Sequence, residues 1–272
     1  MIIGYQAVYD LSYIDAIDYA KKNKFDFVSF DLNVPRFYID QLTHKQLKEI
    51  REYSEKNEIA LAFHAPGDNI SLFTDYPSIR NGILEHFTKI IIAAEALNAR
   101  HITLHPGIYP SLKKAYSKED DFSKEYAEYF SRVIYENVLY LQEVSKNTML
   151  CLENYNLTEI TMNALDSILK DANLFLTWDI AKTYDSKLNC NAKVEEYMFK
   201  NKNRIKEIHI HDIIKDFRSH QRVGSGGINF KKYHEILNQS DIAITIEVRP
   251  REEALISREN LMQILGENAN ES

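Results

Sequence analysis

In the stretch "RIKEIHIHD", His209 and His211 stand two residues apart, with Ile208 and Ile210 filling the alternate positions. An extended chain sends successive side chains to opposite faces, so both imidazoles look one way and both isoleucines the other. Histidine, aspartate and glutamate also close other apolar runs: His64 in "FHAPGDN", His105 in "LHPG", Glu153 in "LENYN", Asp179 in "TWDIAK" and Glu247 in "IEVRP". Three carboxylates and at least three imidazoles converging on one place would repel or be costly to bury unless a cation sat among them. A divalent metal is the simplest such cation. Oxygen and nitrogen donors without thiolate suit zinc, manganese, cobalt, iron or magnesium, and the sequence does not choose among these.

Convergence needs elements that deliver these residues to one end of a fold. Apolar runs beginning at Ile2, Phe25, Ile59, His101, Thr148, Leu174, Ile205 and Ile242 alternate with longer amphipathic segments, among them "LSYIDAIDYAKKN", "THKQLKEIREYSEKN" and "SIRNGILEHFTKIIIAAEALN". The alternation predicts strand followed by helix throughout. Thr43 is placed to cap the second helix. Asn23, Asn57, Asn98 and Asn147 fall where a helix gives way to the next strand, a place where asparagine tolerates a left-handed turn. Eight such units predict an α/β fold of the (β/α)8 TIM-barrel type, with a parallel eight-stranded barrel. The competing doubly wound sheet would want a glycine-rich phosphate turn after the first strand, and "VYDLSY" has no glycine. In a barrel the active site gathers at the C-terminal strand ends, where His64, His105, Glu153, Asp179, His209, His211 and Glu247 stand.

The 272 residues are 44% hydrophobic and 27% charged, enough for a sizeable core under a charged surface. With no composition break or linker, residues 1–272 read as a single domain with a tail, 266–272, expected to be mobile. Forty acidic against 33 basic residues leave a formal charge of −7, which disfavours nucleic acid as a partner. No basic leader followed by an apolar run and no membrane span is read. Cys151 in an apolar strand and Cys190 in a polar loop give no positive sign of a disulfide, and a cytoplasmic setting is expected. His44, His86 and His234 fall in helical segments and read as surface or packing residues, and His101 begins its strand. Trp178, of opposite parity to Asp179, is expected to pack beneath a helix. Tyr109 and Tyr155, just after strand ends, could line a pocket or pack loops.

The ordered set "FHAP", "LHPG", "LEN", "WDIAK", "EIHIHD", "VGSGGINF" and "IEVRP" resembles the xylose-isomerase-like barrel superfamily, which holds sugar and sugar-phosphate isomerases and epimerases and the abasic-site nuclease endonuclease IV. The resemblance runs from the first strand to the last. It implies a central metal held by Glu153, Asp179, His209 and Glu247, with His211 one layer further out as a support or substrate contact. His64 and His105 match the histidines that, with a glutamate at the place of Glu153, hold a second metal in the nuclease, so one or two ions per chain are implied. A third metal of the nuclease needs a histidine three residues after the strand-six aspartate and an Asp-x-His set. Here those places read Lys182 and "RSH", with Arg218 for the aspartate and His220 retained, so the third site is read as lost.

Lys182, Arg218 and His220 are instead expected to meet substrate, an anionic small molecule, under the loop "VGSGGIN". The alternative is that the two cations merely pair with Asp185 and Asp216. The leading expectation is a divalent-metal-dependent isomerase or epimerase of a small sugar or sugar phosphate, with Glu153 and Glu247 moving a proton through an enediolate. The alternative is a dinuclear phosphoesterase or an endonuclease IV-like hydrolase. A third reading is a ligand-binding scaffold without catalysis. Oligomeric state is not legible.

Overall fold

The computed structural model describes residues 1–67, 69–110, 121–216 and 218–266, apart from the side chains of residues 121–123 and of Arg218. The expected mobile tail lies outside the described residues from position 267 onward. Eight parallel strands close into a barrel in the order β1 (Ile2–Ala7), β2 (Phe27–Asp31), β3 (Ala60–His64), β4 (His101–Leu104), β5 (Met149–Glu153), β6 (Phe175–Asp179), β7 (Ile205–Ile210) and β10 (Ala243–Ile246), which returns to β1. Between β7 and β10 the chain adds an antiparallel hairpin of β8 (Asp212–Ile214) and β9 (Arg218–Gln221). The helices are α1 (Tyr13–Lys22), α2 (His44–Asn57), α3 (Pro77–Ala96), α4 (Asp121–Val144), α5 (Glu159–Asp171), α6 (Ala192–Lys200), α7 (His234–Leu237) and α8 (Arg251–Gly266).

The period-two alternation sorts each strand. Outward residues such as Leu150, Leu152, Trp178, Ile208, Ile210, Ile244 and Ile246 are buried in the main apolar cluster with the helices. Inward residues at the floor form a separate apolar plug of Phe27, Ala62 and Ala243, against which Ile2 packs. A Cβ on Gly4 would stand 2.6 Å from the Phe27 ring, so only glycine lets that ring fill the barrel.

Thr43 forms the expected cap: its Oγ1 accepts from Gln46 N at 3.3 Å while Gln46 Oε1 accepts from Thr43 N at 2.9 Å. The asparagine expectation needs correction. Asn98 does take the left-handed conformation (φ 55°), but after α1 and α2 the residues that do so are Lys24 (φ 59°) and Glu58 (φ 58°). Asn23 and Asn57 use their amides differently, donating to Tyr19 O and Tyr53 O at 2.8 and 2.9 Å. The seventh helix is also shorter than a regular unit, because the hairpin and the glycine loop occupy the chain there and leave α7 one turn.

Cys151 is buried, Cys190 exposed, and both are free thiols. Among the described residues no helix is long and apolar enough to cross a membrane. His44 is exposed at the start of α2, His86 lies 3.6 Å from Asp40, and His234 is bonded to Asn238, as expected of surface histidines. Trp178 is fully buried beneath the helical layer, its Nε1 donating to Thr183 Oγ1.

Candidate active site and metal centre

Sheet register brings the strand ends together: Asp179 on β6 is the partner of His209 on β7, and His209 that of Thr245 on β10. Glu153 ends β5, His64 ends β3, and His105 and Glu247 follow β4 and β10 by one residue. All six side chains are buried. His209 Nδ1 lies 3.3 Å from Glu247 Oε1 and 3.9 Å from Glu153 Oε1. The other Glu153 oxygen meets His105 Nε2 at 2.8 Å and His64 Nε2 at 3.2 Å.

Possible donor atoms of Glu153, Asp179 and His209 lie within 4.8 Å of one another, as do those of His64, His209 and Glu247 and those of His64, His105 and Glu153. Both ring nitrogens of His105 and of His209 are buried with no aligned hydrogen-bond partner. Buried polar atoms are normally satisfied; His101, beside Glu207, is unmatched in the same way, so it is the grouping of His105 and His209 with other donor atoms that fits an ion. The donor set fits a divalent ion. Glu153, Asp179, His209 and Glu247 would hold one, and His64 and His105 with Glu153 have the composition for a second.

Burial alone would raise the Glu153 carboxyl, but the Lys182 ammonium and the His105 imidazole hold it well below the usual carboxylate range. Burial opposes ionisation of Glu247 too, and His209 and Lys182 outweigh it to hold that carboxyl low. For Asp179, burial is outweighed by His211 and Lys182. Burial would lower His209, yet Glu247 and Glu207 push it up to about 10. His105 differs: its burial dominates and it is held low.

Several supporting residues escaped the sequence reading. Gln6 on β1 donates to Glu247 Oε1 at 2.8 Å, and Arg249 donates to Gln6 and, at 3.4 Å, to Asp31. Asn154 clamps the Asp179 backbone, its Oδ1 accepting from Asp179 N at 2.7 Å and its Nδ2 donating to Asp179 O at 2.9 Å. Glu207, fully buried on β7, lies beneath His209. The signal for Glu207 was present, since positions 207, 209 and 211 share one parity. Gln6 too was visible as a polar residue in an apolar run.

The expected anion-binding group is arranged differently. Lys182 turns inward: its Nζ contacts Glu153 and, at 3.3 Å, Asp179, and it does not pair with Asp185. The glycine loop's N–H groups are occupied as well. Asp212 Oδ2 accepts from Gly224 N and Gly226 N at 3.0 and 2.9 Å, and Oδ1 from Ile213 N and Ile228 N at 2.9 and 3.0 Å. A buried internal carboxylate fills the nest that a phosphate would use. The Arg218 side chain lies outside the described residues.

His211 Nδ1 accepts the His220 backbone N–H at 2.9 Å, which leaves Nε2 to carry a proton toward Asp179 Oδ2 at 3.3 Å. His211 therefore braces Asp179. His220 stacks on His211 at 4.1 Å and approaches Glu247 Oε2 at 3.8 Å. Tyr155 stacks on His105 at 4.1 Å with the rings 5° from parallel, so it lines the site, whereas Tyr109 packs on Phe73, Tyr126 and Phe130.

Comparison with known proteins follows the same architecture. The uncharacterized protein MJ1311 of Methanocaldococcus jannaschii is 26% identical over 241 residues, covering 82% of this chain and 76% of that one. A solved D-tagatose 3-epimerase-like protein superposes with a TM-score of 0.75 at 23% identity, over 99% of this chain and 100% of its own. D-psicose 3-epimerase with D-tagatose from Clostridium cellulolyticum gives 0.70 at 16% identity (97% and 99% covered), and IOLI protein with a zinc atom 0.69 at 14% (98% and 99%). At these identities the likeness shows the shared fold. The family profile described as xylose isomerase-like TIM barrel matches residues 17–264, and the chain belongs to that family.

Proposed function

We propose that residues 1–272 act as one domain, a divalent-metal-dependent isomerase or epimerase of a small sugar that works through an enediolate. The observation that carries this reading is the pair of buried carboxylates, Glu153 and Glu247, reaching one imidazole nitrogen of His209 from two strands. Sugar epimerases among the proteins of like fold support the substrate class. The ion, held by Glu153, Asp179, His209 and Glu247, would polarise adjacent carbonyl and hydroxyl oxygens and neutralise the charge that develops on them.

The rest falls to the chain's own groups. Glu153 and Glu247 are both held ionised, so each can serve as a base. One takes the proton from the carbon beside the carbonyl, leaving its electron pair in the enediolate. The other, ionised at rest, first takes a proton from solvent and then delivers it to the opposite face, which inverts the centre and leaves the first carboxyl to release its proton; delivery to the neighbouring carbon, with the hydroxyl proton passing between the two oxygens, isomerises the sugar. Gln6 fixes Glu247 and Lys182 fixes Glu153, so the two approach directions are set by different partners. Lys182 and the glycine loop are occupied internally, which leaves His220 and Arg218 of the residues expected to meet an anionic substituent. Recognition through sugar oxygens is the reading we favour.

The test is deuterium incorporation from D2O into a panel of ketopentoses, ketohexoses and their phosphates, followed by proton NMR. Wild type exchanges the proton beside the carbonyl of at least one sugar, and Glu153→Gln does not. Full exchange by a folded, metal-loaded Glu153→Gln protein would sink the assignment. A second reading, a dinuclear phosphoesterase, is favoured by one observation, the approach of both His64 and His105 to the same Glu153 oxygen. Incision of a duplex carrying an abasic site, lost in His105→Ala, would put that reading first.

A further inference from the structure

Beneath the strand-end cluster lies a carboxylate that the proposed chemistry does not use. Glu207 is fully buried inside the barrel. Its Oε1 stands 2.6 Å from Thr245 Oγ1, 2.9 Å from His101 Nε2 and 3.1 Å from His209 Nε2. Its Oε2 accepts from Thr177 Oγ1 at 3.1 Å and from Thr103. Three hydroxyls and two imidazoles from strands β4, β6, β7 and β10 thus surround one charge.

Such an arrangement is poorly explained by stability. A buried ion pair replaced by apolar side chains of similar volume is often no less stable, and the plug of Phe27, Ala62 and Ala243 shows that this barrel packs its interior apolarly elsewhere. What distinguishes the place of Glu207 is His209. That imidazole has Nδ1 toward Glu153 and Glu247 and Nε2 3.1 Å from Glu207, close approaches in which neither nitrogen makes an aligned hydrogen bond. A carboxylate behind an imidazole fixes which nitrogen carries the proton, fixes the plane of the ring and makes the opposite nitrogen a better electron donor.

We propose that Glu207 is a positioning residue for His209, holding the proton on Nε2 so that Nδ1 is presented as the metal-binding atom. This rests on the reading of His209 as a ligand, and the experiment separates the two. Protein with 15N-labelled histidine is titrated with zinc, and the ring nitrogens of His209 are followed by 15N–1H correlation spectra. The expected result is one zinc taken up, with Nδ1 losing its proton and shifting while Nε2 keeps its proton. Zinc bound through Nε2, with the proton on Nδ1, would overturn the role of Glu207 and leave the ligand reading intact. No uptake of zinc would overturn both.

Glu207→Gln keeps the size and removes the charge, and its zinc affinity should fall about 10- to 100-fold, the usual effect of removing a partner behind a ligand. Unchanged affinity in a folded Glu207→Gln protein contradicts the proposal. Should that variant not fold, the wild-type ring assignment decides alone.

Discussion

Carboxylates at the two ends of this barrel have opposite surroundings. At the floor, Glu95 near the end of α3 accepts from Lys146 N, Asn147 N and Thr148 N at 2.9, 2.8 and 2.8 Å and from the Asn147 side chain at 2.9 Å. At the mouth, Glu153 accepts no backbone N–H among its described contacts and faces His64, His105, His209 and Lys182. Glu95 is a staple: its lone pairs are filled by the loop it holds. Glu153 is surrounded by three imidazoles and an ammonium, the groups the proposed chemistry would use. Asp212 stands at the mouth yet belongs with Glu95, because four backbone N–H groups fill it. Saturation by backbone, more than position, separates the structural carboxylates from the chemical ones.

The largest expected effect tests the chemical side. Glu153→Gln and Glu247→Gln should each lower solvent-proton exchange roughly 10²- to 10⁴-fold while leaving the melting temperature near that of wild type. Large unfolding with little change in exchange per folded molecule would erase the contrast. Next comes the outer wall of the same strands: Ile208→Ala, on the helix-facing side of β7, should cost about 2–5 kcal/mol by urea unfolding with metal content unchanged. Asp212→Asn should destabilise by about 2 kcal/mol, the scale of hydrogen bonds to a charged group, and speed amide exchange at Gly224 and Gly226 without altering proton exchange. Loss of catalysis there, with stability kept, would move Asp212 to the chemical group.

The smallest effect is one of pH. Partial burial would raise the Glu95 carboxyl, but the amides of Thr148, Asn147 and Lys146 hold it down to about 2, against 4.5 ordinarily. Its contribution is therefore present above pH 4.5 and lost as pH falls through about 2. Urea midpoints of wild type and Glu95→Gln should differ at pH 6 and converge on acidification across that window. A constant difference would mean that Glu95 acts by packing and not by charge.

Much of this was legible because parity is a strong signal. The runs ending in His64, Glu153 and Asp179 each close on an inward charged or imidazole side chain past an apolar outer wall, and the barrel follows from their number. Parity also reaches Glu207, which faces inward with His209 and His211, but its partners Thr103, Thr177 and Thr245 lie on other strands and only the fold brings them to it. Gln6 and Asn154 matter through partners on neighbouring strands that are far away in sequence, which a linear pattern does not encode. Glu95 likewise acts on a loop some fifty residues away. Lys182 was visible as a cation near the mouth, but its direction depends on which carboxylates lie within reach. The glycine loop reads as a cover over an anionic substrate, and only the fold reveals that Asp212 fills its N–H groups.

The most direct test of the central claim is metal content. Protein purified without chelator is analysed for metals as wild type, as His209→Ala and as a His64→Ala, His105→Ala double variant. The account predicts at least one equivalent of divalent metal in wild type, lost or sharply reduced in His209→Ala and retained at one equivalent in the double variant. Wild type that takes up no divalent metal even when it is supplied, or His209→Ala protein that keeps its full complement, would contradict it.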